Sequence, residues 1–213
     1  MSAPPPFGPE FKAALRDLML WRRDVRRFRT DPLPDADVAR LIDLACVAPS
    51  VGNSQPWRFV LVESEPCRRA ARESFARANR AALDGYDGES RALYARLKLE
   101  GLHAAPVHLA VFADEATGRG AGLGRQTMPE TLRYSVVGAI HHLWLAARAE
   151  GIGVGWISIL EPGVVTRALS VPVGWALVAY LCLGWPVEEH LDPELERAGW
   201  QARATPSGFI LRR

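Results

Sequence analysis

Lysine is almost absent from this sequence of 213 residues: of its 26 basic side chains only Lys12 and Lys98 are lysines. The arginine excess reflects coding bias as well as any demand for forked, bidentate donors, so no arginine is read as functional on its own. Cysteine is scarce too. Cys46, Cys67 and Cys182 are odd in number, far apart and without metal-ligand spacing, which excludes a disulfide framework and points to a reducing compartment. Histidine offers no metal site either. His141 and His142 are neighbours on a helix and point about 100° apart, and no zinc-type spacing joins them to His103, His108 or His190, so no metal is assigned. Apolar runs long enough for a membrane span are missing, and the Pro-rich opening lacks the basic-then-apolar layout of a secretory signal. A cytoplasmic protein without membrane association is expected. A net charge of +2, from 26 basic and 24 acidic residues, is too even for a nucleic-acid binder.

What is present is enough for one globular domain, with 48% hydrophobic residues. After a tail over residues 1–10, expected to be disordered, Phe11, Leu15, Leu18 and Met19 recur at helical spacing up to Trp21. A second helix follows Pro34 and Asp35 and stops before Ala48-Pro49-Ser50. Strands are predicted over 57–62, 107–113, 153–160 and 176–183, with two charged helices between Arg68 and Gly101, a long helix up to Glu150 and a short one over 162–169. The Gly-rich stretch 118–124 is expected to be mobile, and the tail from Pro186 shows no period. Helices alternate with strands without an internal repeat, so the class is α/β or α+β.

Three constellations could carry chemistry. Arg22-Arg23-Asp24-Val25-Arg26-Arg27 follows the first helix; guanidinium forks suit a phosphate, although four arginines in six positions also describe a solvated helix end. Asp24 inside it is a salt-bridge partner or a carboxylate aimed at a ligand, and its cationic neighbours favour the ionised form. The loop from Ser50 to Gln55 combines Gly52, which permits close backbone approach, with several donors and acceptors; its alternative is an ordinary helix-to-strand turn. Gly151-Ile152-Gly153-Val154-Gly155 follows a helix and precedes a strand, the reverse of the dinucleotide fingerprint, and reads as a helix cap leading into a tightly packed strand. Ser158 at that strand's far end is a core serine or a ligand contact.

In their order and separation, Arg22-Arg23-x-x-Arg26, Ala48-Pro49-Ser50, Gln55-Pro56-Trp57 and Ala146-Ala147-Arg148-Ala149-Glu150-Gly151 resemble the FMN-dependent nitroreductase superfamily over 18–203. Within it, Asp24, where other members usually carry serine, together with Leu97-Lys98-Leu99-Glu100-Gly101 and Gly153-Val154-Gly155-Trp156, is similar to the branch that consumes reduced flavin. That resemblance implies an α+β, nitroreductase-like fold: a central mixed, mainly antiparallel sheet flanked by helices in a domain-exchanged homodimer. One flavin-binding domain would cover 11–213, with lid helices over about 68–101. It implies FMN bound by Arg22, Arg23, Asp24, Val25 and Arg26, with Arg203 contributing, its ring against Ser50, Gly52, Gln55, Leu99 and Ser158. The implied reaction takes reduced FMN as substrate and dioxygen as co-substrate, releases 5,6-dimethylbenzimidazole and erythrose 4-phosphate, and depends on a separate flavin reductase. Asp24 would act as acceptor or base near the ribityl chain, and Ser158 would bond near the flavin N5 edge. The competing readings are a conventional NAD(P)H-dependent FMN oxidoreductase and a non-catalytic polyanion-binding module.

Overall fold

The computed structural model describes residues 5–213, the side chain of Ser207 excepted. Its two most apolar strands, β2 (Val107–Asp114) and β4 (Trp175–Gly184), lie side by side in the middle of a four-stranded sheet. Their residues are sorted by period-two alternation. Leu109, Val111, Ala113, Ala179, Leu181 and Leu183 enter the core on one face, while Ala110, Phe112, Tyr180 and Cys182 enter the core on the other. Burial on both faces is why these segments read as continuous apolar runs rather than alternating ones.

The edges are β1 (Trp57–Leu61) beside β2 and β3 (Gly153–Ile157) beside β4, and every neighbouring pair is antiparallel. The mixed character expected of the sheet survives only in the isolated parallel bridge between Asp24 and Val154, the one parallel pairing among the described residues. One face is covered by α2 (Asp35–Ala45) and α5 (Thr131–Ala149), the other by α3 (Glu65–Asp84) and α6 (Pro162–Ala168). In α5 the residues Val136, Ala139, Ile140, Leu143 and Ala147 are fully buried at the spacing of one helical face. Truncating Leu143 there would cost about 2–5 kcal/mol. Gly151, at φ +73°, reverses the chain as Ile152 N–H bonds back to Ala147 O at 2.8 Å, feeding β3 straight from α5.

Several boundaries differ from the sequence reading. Of the tail over 1–10, residues 1–4 lie outside the described residues, and Pro9 and Glu10 open α1 (Pro9–Trp21), where proline is tolerated in the first turn. The third strand ends at Ile157 rather than residue 160, because the chain turns there, with Leu160 N–H bonded to Ser158 O at 2.9 Å before Pro162 starts α6. Ser158 is therefore an exposed residue past the strand. The charged region forms α3 and α4 (Gly88–Arg96), followed by irregular backbone over 97–101. Beyond Pro186 the helical turns, α7 (Glu194–Arg197) and a 3-10 turn over Pro206–Phe209, are too short to leave a period in the sequence. The glycine-rich stretch 118–124, expected to be mobile, packs on the Val51–Asn53 turn: a Cβ on Gly120 would lie 2.6 Å from Gly52 O.

Candidate active site

Helix α1 ends at Trp21, and the next residues run extended along the outer edge of β3. Val25 N–H donates to Val154 O at 3.0 Å, and Arg29 N–H to Trp185 O at 2.8 Å, so the segment is stitched to β3 and to the end of β4. The glycines of β3 make this possible. A Cβ on Gly155 would sit 2.2 Å from Val25 O, and one on Gly153 would meet the Val25 side chain at 2.9 Å. The Gly-x-Gly pattern thus marks a close backbone approach, as its reading as a tightly packed strand implied.

That approach fixes Asp24. Its Oδ1 accepts the Trp156 N–H at 2.8 Å, and its Oδ2 accepts from Arg26 Nε at 2.8 Å. Burial pushes this carboxyl above the usual range, with the Trp156 N–H and the Arg26 guanidinium pulling the other way. As expected, its cationic neighbour Arg26 favours the ionised form; desolvation of this half-buried carboxyl acts the other way and raises its proton affinity overall. A carboxyl with raised proton affinity can give up a proton as well as take one.

The arginines divide into two groups. The Arg26 guanidinium spans Asp24 and Lys98 O, 2.8 Å from each, which commits it to an acid rather than leaving it free for a phosphate. Arg22 stacks over Trp144 at 4.7 Å, and Arg23 Nε donates to Leu191 O at 2.8 Å. Burial and the nearby Arg203 lower the pKa of both Arg22 and Arg23. Three like charges held within mutual reach, two of them partly desolvated, are the donor set an anion would stabilise. Val25 packs on the glycines of β3, Leu99 is half-buried in the 97–101 segment, and Ser158 lies two residues beyond the Trp156 N–H, about 7 Å along the chain.

The Ser50–Gln55 loop is elsewhere. It enters β1, and the strand registers put Trp57 opposite the Ala176 end of the sheet and Asp24 beside Val154, opposite Leu183. Four strand spacings across and about seven residues along place the two regions roughly 30 Å apart. One flavin mononucleotide cannot touch both within one chain. The loop is nonetheless built tightly. Ser50 Oγ accepts the Gln55 N–H at 3.0 Å, Gly52, Asn53 and Gln55 all have positive φ, and the buried Ser54 hydroxyl has no partner among the described residues. Positive φ at Asn53 and Gln55 is strain of the kind that concentrates at binding sites.

The features at the β3 edge fit a flavin mononucleotide: a cationic cluster for its phosphate and a half-buried carboxyl beside it. Sequence reasoning missed the Trp156 N–H, the Lys98 carbonyl and Trp144, the first two being backbone groups that carry no residue signature. Gly153 and Gly155 were the legible trace of the first.

The Nitroreductase family model matches residues 19–185. Over 203 residues the chain is 60% identical to the 5,6-dimethylbenzimidazole synthase of Rhodospirillum rubrum, covering 95% of this chain and 96% of that protein. It is 47% identical to the enzyme of the same name from Rhodobacter capsulatus, with 92% and 94% covered. Among solved structures it is similar to an iodotyrosine deiodinase bound to FMN and 3-iodo-L-tyrosine, with a TM-score of 0.70, 27% identity, and 83% of this chain and 91% of that chain covered.

Proposed function

The chain belongs to the nitroreductase family, and from that premise we propose that it fragments reduced FMN with dioxygen, releasing 5,6-dimethylbenzimidazole, the lower ligand of cobalamin, and erythrose 4-phosphate. The observation that carries this reading is Asp24. A carboxyl with raised proton affinity stands within the arginine segment and is oriented by Trp156 N–H and Arg26, where breaking the ribityl chain requires a proton to be held and moved. The close relatives that bear the synthase name match this chain over nearly its whole length.

Reduced FMN supplies the carbon skeleton of both products, and dioxygen supplies the oxidising power. Arg22, Arg23 and Arg203 bind the phosphate, and Val25 holds the segment flat on β3. Asp24 accepts or returns a proton beside the ribityl chain, and Ser158 bonds near the N5 edge. Arg26 holds the Lys98 carbonyl and so fixes Leu99 and the 97–101 segment over the site, keeping water out.

Ser50, Gly52 and Gln55 reach the ring from a second copy of the chain. The separation of the two regions supports this homodimer. So does α5, whose outer face exposes Tyr134, Val137 and His141 around Gly138, where an added Cβ would meet nothing. A mid-helix glycine weakens a lone helix by about 1 kcal/mol, and here it leaves room for a close helix crossing. An open outer edge on β1 and the exposed apolar Phe209, Ile210 and Leu211 suit exchange of a terminal segment between the copies. Reduced flavin comes from a separate reductase in the cytoplasm; no helix among the described residues is long and apolar enough to cross a membrane.

The test is aerobic incubation with chemically reduced FMN and chromatography for dimethylbenzimidazole, which should appear in step with flavin loss. Absence of that product, together with rapid bleaching of oxidised FMN by NADPH and enzyme alone, would instead establish a conventional oxidoreductase.

A further inference from the structure

The segment after β4 touches both the arginine segment and the lid. At one end Arg27 donates to Glu194 Oε1 of α7 at 2.7 Å, and Arg23 holds Leu191 O. At the other end, Gly199, at φ +76°, ends α7 and turns the chain so that Trp200 N–H bonds back to Leu195 O at 2.8 Å. This turn lays the Trp200 ring on the lid. Its centroid is 5.5 Å from Tyr86 and 6.0 Å from Tyr94, both edge-on, while those two tyrosines stack at 5.0 Å. Tyr86 lies in the turn between α3 and α4. Tyr94, in the last turns of α4, donates its hydroxyl to Asn79 Oδ1 on α3 at 2.8 Å. The chain then runs from α4 directly into the 97–101 segment, whose Lys98 carbonyl is bound by Arg26.

From this we infer that Trp200 is a positioning residue that, through α7, couples the phosphate-binding arginine segment to the α3–α4 lid, so that seating the phosphate holds the lid shut. The inference rests on the flavin reading above and names a residue for which that reading has no role. Arg203 follows Trp200 by three residues and lies within repulsive reach of Arg22 and Arg23. An anion among the three turns that repulsion into attraction and draws the Trp200 segment inward. An isolated aromatic trio would stabilise the lid equally with or without ligand.

The test uses Tyr86 as its own reporter, since chymotrypsin cleaves after an accessible tyrosine and local opening sets the rate. Losing two ring contacts in Trp200→Ala should speed cleavage after Tyr86 about tenfold, and Trp200→Phe should restore most of the protection. Equal rates in parent and Trp200→Ala would overturn the inference, whatever the protein's activity. FMN should slow cleavage severalfold in the parent and leave Trp200→Ala unchanged; equal slowing in both would overturn the coupling. With reduced FMN and oxygen, Trp200→Ala should consume flavin while yielding less dimethylbenzimidazole per flavin lost. A parent that makes no dimethylbenzimidazole yet shows Trp200-dependent protection by FMN would reject the proposed reaction and keep the latch.

Discussion

The two edges of the sheet solve the same problem differently. The outer edge of β3 is sealed by its own chain: Val25 N–H reaches Val154 O, and the Asp24 carboxylate takes the Trp156 N–H. The outer edge of β1 has no strand beside it among the described residues, and Leu61 at its end is exposed. An unpaired edge invites another chain. The contrast teaches that the β3 edge is closed locally by the segment that carries Asp24, whereas on the proposed reading the β1 edge and the Ser50–Gln55 loop meet a second copy.

The sharpest way to break this comparison is Asp24→Asn, which keeps an acceptor for the Trp156 N–H but loses the titrating group. Product formation should fall about 10²–10⁴-fold while FMN titration gives nearly the parent affinity; full activity would remove Asp24 from the chemistry. Gly155→Ala attacks the seal itself, because its Cβ would lie 2.2 Å from Val25 O. A loss of about 3 kcal/mol in urea unfolding is expected, together with weakened FMN binding, and a parent-like midpoint would show that the edge is not held this way.

Acid titration distinguishes the sheet interior from the β3 edge by sign. His108, paired with Val62 beyond the end of β1, is buried and its pKa is lowered to about 4, chiefly by desolvation. Its folded pKa is below the unfolded one, so its stability is present above about pH 6.5 and is lost as pH falls towards 4. Urea unfolding should show about 3 kcal/mol lost between pH 7 and pH 4, a slope that His108→Gln should flatten. Asp24, with a raised folded pKa, works the other way: its share is present at low pH and is lost as pH rises through that value. Two smaller effects complete the set. Ser158→Ala should lower product yield about tenfold without touching either edge. Leu61→Pro removes an N–H that the register turns away from β2, so sedimentation should show a dimer weakened about tenfold with the protomer fold intact; an unchanged dimer would mean that nothing pairs there.

Much of this was readable before any coordinates. The core stripe Ile140, Leu143 and Ala147 and the apolar strands announced themselves because burial imposes a fixed period on side chains. Gly153 and Gly155 signalled close packing, and Asp24 stood out as an acid among arginines. The partners were not readable. Lys98 and Trp156 act through backbone groups that every residue possesses, and the division of Arg22 and Arg23 from Arg26 depends on which way each guanidinium turns.

Sequence alone determined the elements, the sorting of residues between the two sheet faces and the chemical types at the site, since these follow from local periodicity and residue chemistry. Tertiary structure alone decided that Asp24 lies against β3, that the Ser50–Gln55 loop lies at the opposite corner, and that burial dominates the Asp24 carboxyl. Strand order and desolvation are set by contacts between segments far apart in the chain, and no local pattern encodes them.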